Sequence, residues 1–401
     1  MSNGGARAPR RLLEGIRVID FSWHMTGPIT TKHLSDLGAE VIIVESRRRP
    51  GWRRGPLLSG SNDQNCTTKL SVTINTREPR GLDLARQLIA RSDIMVENYA
   101  GGTIVRMGLG YDAVREIKPD IIMLSTSMQG QTGPYFSHQG TGHKLTALAG
   151  FNQIAGWPDR QPAWMAAYTD FIAPRYNIIA IMAALDYRRR TGKGQYLDMS
   201  QLETSLQFMS PLLLDYTVNR RVATRLGNSS AAAAPHNAYR CLGEDRWCVI
   251  AVSTDQEWNS LRRIIGDPEL ADDARFGTIT ARKGNEEVLD RLINNWTSSR
   301  QAEEVMTSLQ AAGVAAGVVE TGEDLLDLDP QLRHRATFTN LEYHGIGAYR
   351  AHSDAHFLMS KYQVHMTPAP TIGQHNEYVF KGILDMPETR YDQLVKDGVI
   401  D

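Results

Sequence analysis

Cysteine is scarce in this chain. Cys66, Cys241 and Cys248 are odd in number, widely spaced and without a Cys-x-x-Cys pair, which excludes a disulfide framework and leaves reduced, structural thiols. Excess charge of one sign is also missing. Lys+Arg 44 against Asp+Glu 45 leaves a formal net charge of -1, so neither nucleic acid nor an acidic membrane is an expected partner. No run approaches the roughly twenty apolar residues of a membrane span; the apolar stretch at 178–185 is short and leads into Arg188, Arg189 and Arg190. The opening MSNGGARAPRRLLEG has no apolar core or cleavage pattern and reads as a short disordered leader of a cytoplasmic protein. After the first strand-like segment SWHMTGP stands where Gly-x-Gly-x-x-Gly would be needed, so a dinucleotide cofactor loses its main support. His236, His344, His352, His356 and His365 show no metal-binding spacing, and no metal is expected.

What is present is an ordinary globular composition, 41% hydrophobic and 22% charged over 401 residues, enough for about two domains. The first half alternates in type. Residues 16–21 (IRVIDF) read as a strand, 28–37 as a helix closed by Gly38, and 40–45 (EVIIVE) as a strand again. Helical 81–92, strand 93–98, a helix near Tyr111 and strand 120–127 continue the series. Repeated βαβ units imply parallel pairing and an open, Rossmann-like α/β sheet. Long helices follow at 170–190 and 200–218, and then the small, polar run NRRVATRLGNSSAAAAPHNAYRC marks a boundary. The expected division is a large domain from 1–220 and 331–401 and a smaller α+β domain over 221–330. The last part, from SDAHFLMS onward, reads as loops and a terminal helix.

The most informative stretch runs from Gly156 to Glu203, where Asp170 opens an apolar helix. A carboxylate at a helix start has a plain structural use, accepting main-chain N–H bonds. Cations at the far end, in RRRTGKG, complement the helix dipole and need no function.

Together with GIRVIDFSWHMTGP, LGAEVIIVES, TTKLSVTIN, DIMVENYAGGTIVRMGLGY, RRRTGKGQYLDMS, PHNAYRCLGEDRWCVIAV, DQEWNSLRRIIG and APTIGQHNEYVFKGIL, this stretch resembles the class III CoA-transferases, whose relatives include α-methylacyl-CoA racemases. The resemblance spans nearly the whole chain. It implies a Rossmann-like large domain with an inserted smaller domain, an interlocked dimer, and coenzyme A or acyl-CoA as substrate with no permanently bound cofactor. It places Asp170 at the catalytic aspartate, whose carboxylate would form an anhydride and then a CoA thioester. His143 falls where relatives carry a carboxylate or a histidine. Lys69, Asn98, Tyr99, Arg106, Met107 and, with less support because Ser46 takes the usual basic position, Arg47 fall at CoA-contacting positions. Trp23, His24, Met25 and Thr26 align with the acyl pocket, although lone aromatic and Met residues often serve a core.

Anhydrides hydrolyse, so water must be excluded and oxyanions met by N–H donors. No Gly-rich shielding run is present, and 228–234 is the stretch available to cover the site. Trp23, Trp164, Tyr168 and Phe171 suit an aromatic acyl group; a dicarboxylate would need a cation, from Arg175 or His24. Two rival readings accompany transfer between acyl-CoA and a carboxylic acid. One is a racemase using His143 and Asp170 as acid and base, disfavoured by FIAPRY after the Asp where such relatives carry glycines. The other is a subunit of a heteromer with a paralogous chain instead of a homodimer.

Overall fold

The computed structural model describes residues 11–48, 64–271, 273–343 and 347–401. The first ten residues of the expected leader and His344 lie outside them. The chain divides into two compact units, one from the described residues of Met1–Phe151, Met165–Arg221 and Leu332–Asp401, the other from Asn152–Trp164 and Val222–Gln331. Asn152–Trp164 thus packs with the second unit, whereas the sequence pattern placed it in the first.

The first unit is built on six parallel strands, β1 (Arg17–Asp20), β2 (Glu40–Glu45), β3 (Leu70–Thr73), β4 (Ile94–Glu97), β5 (Ile122–Ser127) and β6 (Gln195–Ser200), in the order β3-β2-β1-β4-β5-β6. Both sheet faces are covered, which is why strands such as EVIIVE and DIMVE carry nearly continuous apolar runs. Alternate residues serve opposite faces. Val18, Val41, Ile94, Val96, Ile122 and Leu124 pack against Leu34 and Leu37 at the end of α1 (Thr26–Asp36) and against Ile181 and Ala184 of the long Asp170 helix. Their neighbours Ile19, Ile42, Val72, Met95 and Met123 pack against Leu84, Leu88 and Ile89 of α2 (Pro79–Ala90) and against the C-terminal Val379, Phe380 and Leu394. Gly38, at φ +100, stops α1 and releases the chain into β2.

Four further helices frame the site: α3 (Thr103–Arg106), α4 (Gly142–Leu148), α5 (Thr169–Thr191) and α6 (Gln201–Asn219). In the C-terminal segment strands β7 (Phe338–Tyr343) and β8 (Gly347–His352) pair antiparallel just ahead of the stretch read as loops, and the terminal helix is α7 (Glu388–Lys396).

In the second unit three antiparallel strands, His236–Arg240, Trp247–Ala251 and Ala315–Val318, carry helices on a core of Tyr239, Cys248, Trp258, Phe276, Leu289 and Leu309. Helix Asp255–Ile265 starts at a reciprocal cap in which Thr254 Oγ1 accepts from the Glu257 N–H and Glu257 accepts in return. Cys66, Cys241 and Cys248 are all buried and unbridged.

Candidate active site

The strand order reverses direction between β1 and β4, and in open parallel sheets the crevice beyond the carboxyl ends at such a point is where ligands bind. Here that crevice is bridged by one amide. Asn98, just past β4, accepts from the Trp23 N–H at 3.0 Å and donates to the Trp23 carbonyl at 2.7 Å. The loop after β1 is thereby tied to the next strand across the switch point.

A buried polar network fixes the same loop from below. Asp20, the last residue of β1, accepts from the Ser22 N–H at 2.8 Å and from the Ser22 and Thr31 hydroxyls. Lys69 lies 3.6 Å from Asp20 and donates to Thr31 Oγ1 at 2.7 Å and the Pro28 carbonyl at 2.9 Å. A Cβ on Gly27 would lie 2.1 Å from Ser22 Cβ, so only glycine permits this closure. His24 adopts φ +65, a left-handed conformation that costs a side-chain-bearing residue about 1 kcal/mol, and its ring lies 4.3 Å from that of Trp23. Met25 Sδ accepts from Asn65 at 3.6 Å.

Thr26, opening α1, reaches the reactive candidate: its hydroxyl donates to Asp170 Oδ1 at 3.1 Å. Asp170 sits in the first turn of α5 and is 9% exposed. Burial pushes its carboxyl up to about 6, while the Thr26 hydroxyl and His143 pull it down. Desolvation therefore outweighs the two groups that favour the anion. Pro174, four residues on, has no N–H to give the Asp170 carbonyl. Two turns along the same face, buried Asn177 donates to Thr30 at 2.9 Å and Thr126 at 3.0 Å, locking α5 to α1 and β5.

Gly142, the first residue of α4, lies against the other side of the carboxylate: a Cβ there would be 2.3 Å from Asp170 Oδ2. His143 follows it, exposed, and acts on Asp170 electrostatically. The structure thus brings together Trp23, His24, Thr26, Asn98, His143 and Asp170.

The other expected residues are placed differently. Lys69 is buried, and its ammonium, with three donors, is engaged by Asp20, Thr31 and Pro28; in this chain it holds the loop rather than presenting a free cation. Tyr99 and Met107 pack partly buried against the sheet core, and burial raises the Tyr99 phenol. Arg106 is exposed at the end of α3, with Nη2 donating to Thr103 at 3.0 Å. Arg47 is exposed after β2 and is tied to the C-terminal residues, its N–H donating to Asp401 at 3.1 Å and Nη2 to the Ile372 carbonyl at 2.8 Å. Arg175 donates to His33 Nε2 at 2.9 Å. Tyr168 packs edge-on against Phe151 and Phe208, Phe171 is exposed, and Trp164 and 228–234 belong to the second unit.

Sequence reasoning missed Glu97. It ends β4 at the switch point, fully buried beside the Ser125 hydroxyl, with Oε2 accepting from the Tyr99 N–H at 2.8 Å. Burial pushes its carboxyl up to about 7. The signal was a lone acid closing an otherwise apolar strand. His352 and His356, whose spacing suggested no metal site, converge with Asp354. A cavity of about 1020 Å³ opens elsewhere, at the amino ends of the strands beside Arg17, Arg91 and His375.

Comparison with known proteins identifies the family. A family model described as CoA-transferase family III matches residues 13–376. Succinyl-CoA–D-citramalate CoA-transferase of Chloroflexus aurantiacus is 30% identical, the match covering 98% of this chain and 100% of that one. Human succinyl-CoA:glutarate CoA-transferase is 30% identical over 97% of this chain and 90% of its own. Among solved structures, a CAIB/BAIF family protein from Brucella suis superposes with a TM-score of 0.84 at 28% identity, covering 92% of this chain and 98% of that one. With a family model spanning most of its length and a relative matched end to end, the chain belongs to the CoA-transferase family III.

Proposed function

We propose that this enzyme moves coenzyme A from an acyl-CoA donor to a carboxylic acid through covalent intermediates on Asp170. The observation that carries the reading is the state of that carboxyl: buried, held at one oxygen by Thr26, faced by a glycine, and with its pKa raised to about 6. At pH 7 it is still ionised by about ten to one, yet it is a stronger base than a solvated aspartate and sheds little water to attack.

In this scheme Asp170 attacks the donor thioester carbonyl and CoA thiolate leaves, giving a mixed anhydride. The thiolate attacks the aspartyl carbonyl, expels the donor acid and forms an aspartyl-CoA thioester. The acceptor carboxylate repeats the sequence in reverse and departs as the new acyl-CoA, regenerating the Asp170 carboxylate. In this reading main-chain N–H groups of residues 24–26 meet the developing oxyanions, the Trp23 N–H being taken by Asn98, and exposed Arg106 suits a CoA phosphate.

Succinyl-CoA is the donor in the names of both relatives, and their acceptors are dicarboxylates. A dicarboxylate acceptor is therefore the first choice here. Burial lowers the His24 pKa, so at pH 7 this imidazole is neutral and would bind a distal carboxylate as a hydrogen-bond donor rather than as a cation. A cytoplasmic location and an interlocked assembly, either a homodimer or a heteromer with a paralogous chain, complete the reading. Among the described residues no helix is long and apolar enough to cross a membrane.

The electrostatic coupling of His143 to Asp170 sustains one rival, acid–base racemisation at the α-carbon of an acyl-CoA. Mass spectrometry after incubation with succinyl-CoA and a hydroxylamine quench separates the two. A hydroxamate on Asp170 is expected; an unmodified Asp170 with deuterium entering the substrate α-carbon in heavy water would establish the racemase instead.

A further inference from the structure

The clearest unexplained group outside the active site is Asp354. It is 8% exposed, and its Oδ2 is buried and accepts no hydrogen bond. A buried carboxylate without a donor is strongly unfavourable unless a cation joins it. The nearby cations are committed elsewhere. The Lys32 ammonium is held by Asp36 at 3.0 Å and Thr67 at 2.8 Å. Arg175 engages His33 Nε2, and His33 Nδ1, 4.0 Å from Asp354, faces the Ile29 carbonyl at 2.9 Å.

Two imidazoles complete the surroundings. His352 and His356 stack with ring centroids 5.4 Å apart, and one ligand atom from each, with an Asp354 oxygen, all lie within 4.8 Å of one another. The strand ends at His352 and the chain bends at Asp354, and the three side chains converge there. His352 Nδ1 faces the Ser353 carbonyl at 3.3 Å; donating there would leave Nε2 with its lone pair outward, the usual state of a ligating histidine.

The backbone under these residues is fixed. His352 ends β8, its carbonyl accepts from the Gln64 side chain, and Asp36 Oδ2 accepts from both Ser353 Oγ and the Asp354 N–H at 2.8 Å. A donor set on such a frame is preorganised.

We propose that His352, Asp354 and His356 form a binding site for one divalent first-row transition-metal ion, with zinc as the best fit to two imidazoles and a carboxylate. Tetrahedral ligands about 2.0–2.1 Å from zinc lie about 3.3 Å apart, so small side-chain rotations close the present triangle. The ion neutralises the buried carboxylate of a segment that Ser353 and the Asp354 N–H already tie to Asp36 of α1, the helix whose other end holds Asp170 through Thr26. It takes no part in CoA transfer.

The test uses the full-length chain stripped with a chelator and titrated with zinc chloride by calorimetry, with cobalt(II) absorption reporting coordination. One ion per chain, a zinc-dependent rise in Tm, and at least tenfold weaker binding in His356→Ala and in Asp354→Asn are expected. His356 is half-exposed, so its variant keeps the fold, and exposed His365→Ala serves as the control that leaves binding unchanged. No saturable binding, or equal binding by the wild type and both site variants, overturns the site.

Discussion

Asp170 is held between opposing forces. A first-turn carboxylate gains from the helix dipole and from the Thr26 hydroxyl, yet desolvation dominates and its pKa rises to about 6. The sign of the stability effect follows. The folded pKa exceeds the unfolded value, so the folded state holds the proton longer, and stability falls as pH rises from about 4 to about 6 and stays reduced above. Asp170→Asn removes the charge and is expected to raise Tm by a few degrees at pH 7.5, corresponding to roughly 2 kcal/mol, while abolishing turnover; calorimetry checks the first and a transfer assay the second. An unchanged Tm with lost turnover would mean that the buried charge costs little. Thr26→Val removes a bond to the charged form only, so the acid limb of kcat/KM is expected to move to higher pH, read from a full pH profile. Of these residues Asp170 and Thr26 were legible by resemblance. Glu97 was not, because one acid at the end of an apolar strand says nothing of its burial, and Lys69 was legible as a position but not as an ammonium enclosed by Asp20, Thr31 and Pro28.

At the scale of elements, the site exists because α1, α4 and α5 present their first turns to one another. Thr26, Gly142 and Asp170 are each within two residues of a helix start. Gly142 has ordinary backbone angles, so its constraint is space rather than conformation. Gly142→Ala would push the Asp170 carboxylate aside, and displacements of this size lower turnover by about a hundredfold. We expect that loss in kcat with a Tm near wild type; full activity would show that α4 yields. The elements themselves were largely readable, since EVIIVE and DIMVEN need burial on both faces. Four strands escaped. LSVT is four residues long, QYLDMS alternates exposed and half-buried residues as the sheet's last strand, and FTNLEY with GAYRAH shows its apolar pattern only as a pair. Short or half-exposed strands lean on neighbours distant in sequence, and pattern alone does not supply these.

At the scale of the whole molecule, large apolar side chains stand open on two helices. Helix α6 leaves Phe208 53%, Leu214 64%, Tyr216 49% and Val218 75% exposed, side chains that point to several sides of the helix at 100° per residue. On α5, Phe171 and Ile179 are also open, at 49% and 64%. A helix that is apolar on several sides belongs in an interior, and such exposure suits an association surface. The composition, with a formal net charge of -1, offers no repulsion to oppose it. Sequence periodicity could not have shown this, because an apolar residue facing its own core and one facing a second chain look alike. The interlocked assembly proposed above predicts that the purified chain sediments at twice 44.7 kDa and that it transfers CoA in that form. Recovery of a second chain of similar size at equal stoichiometry would identify the heteromer. An active 44.7 kDa monomer would instead leave those side chains without a partner and refute the assembly.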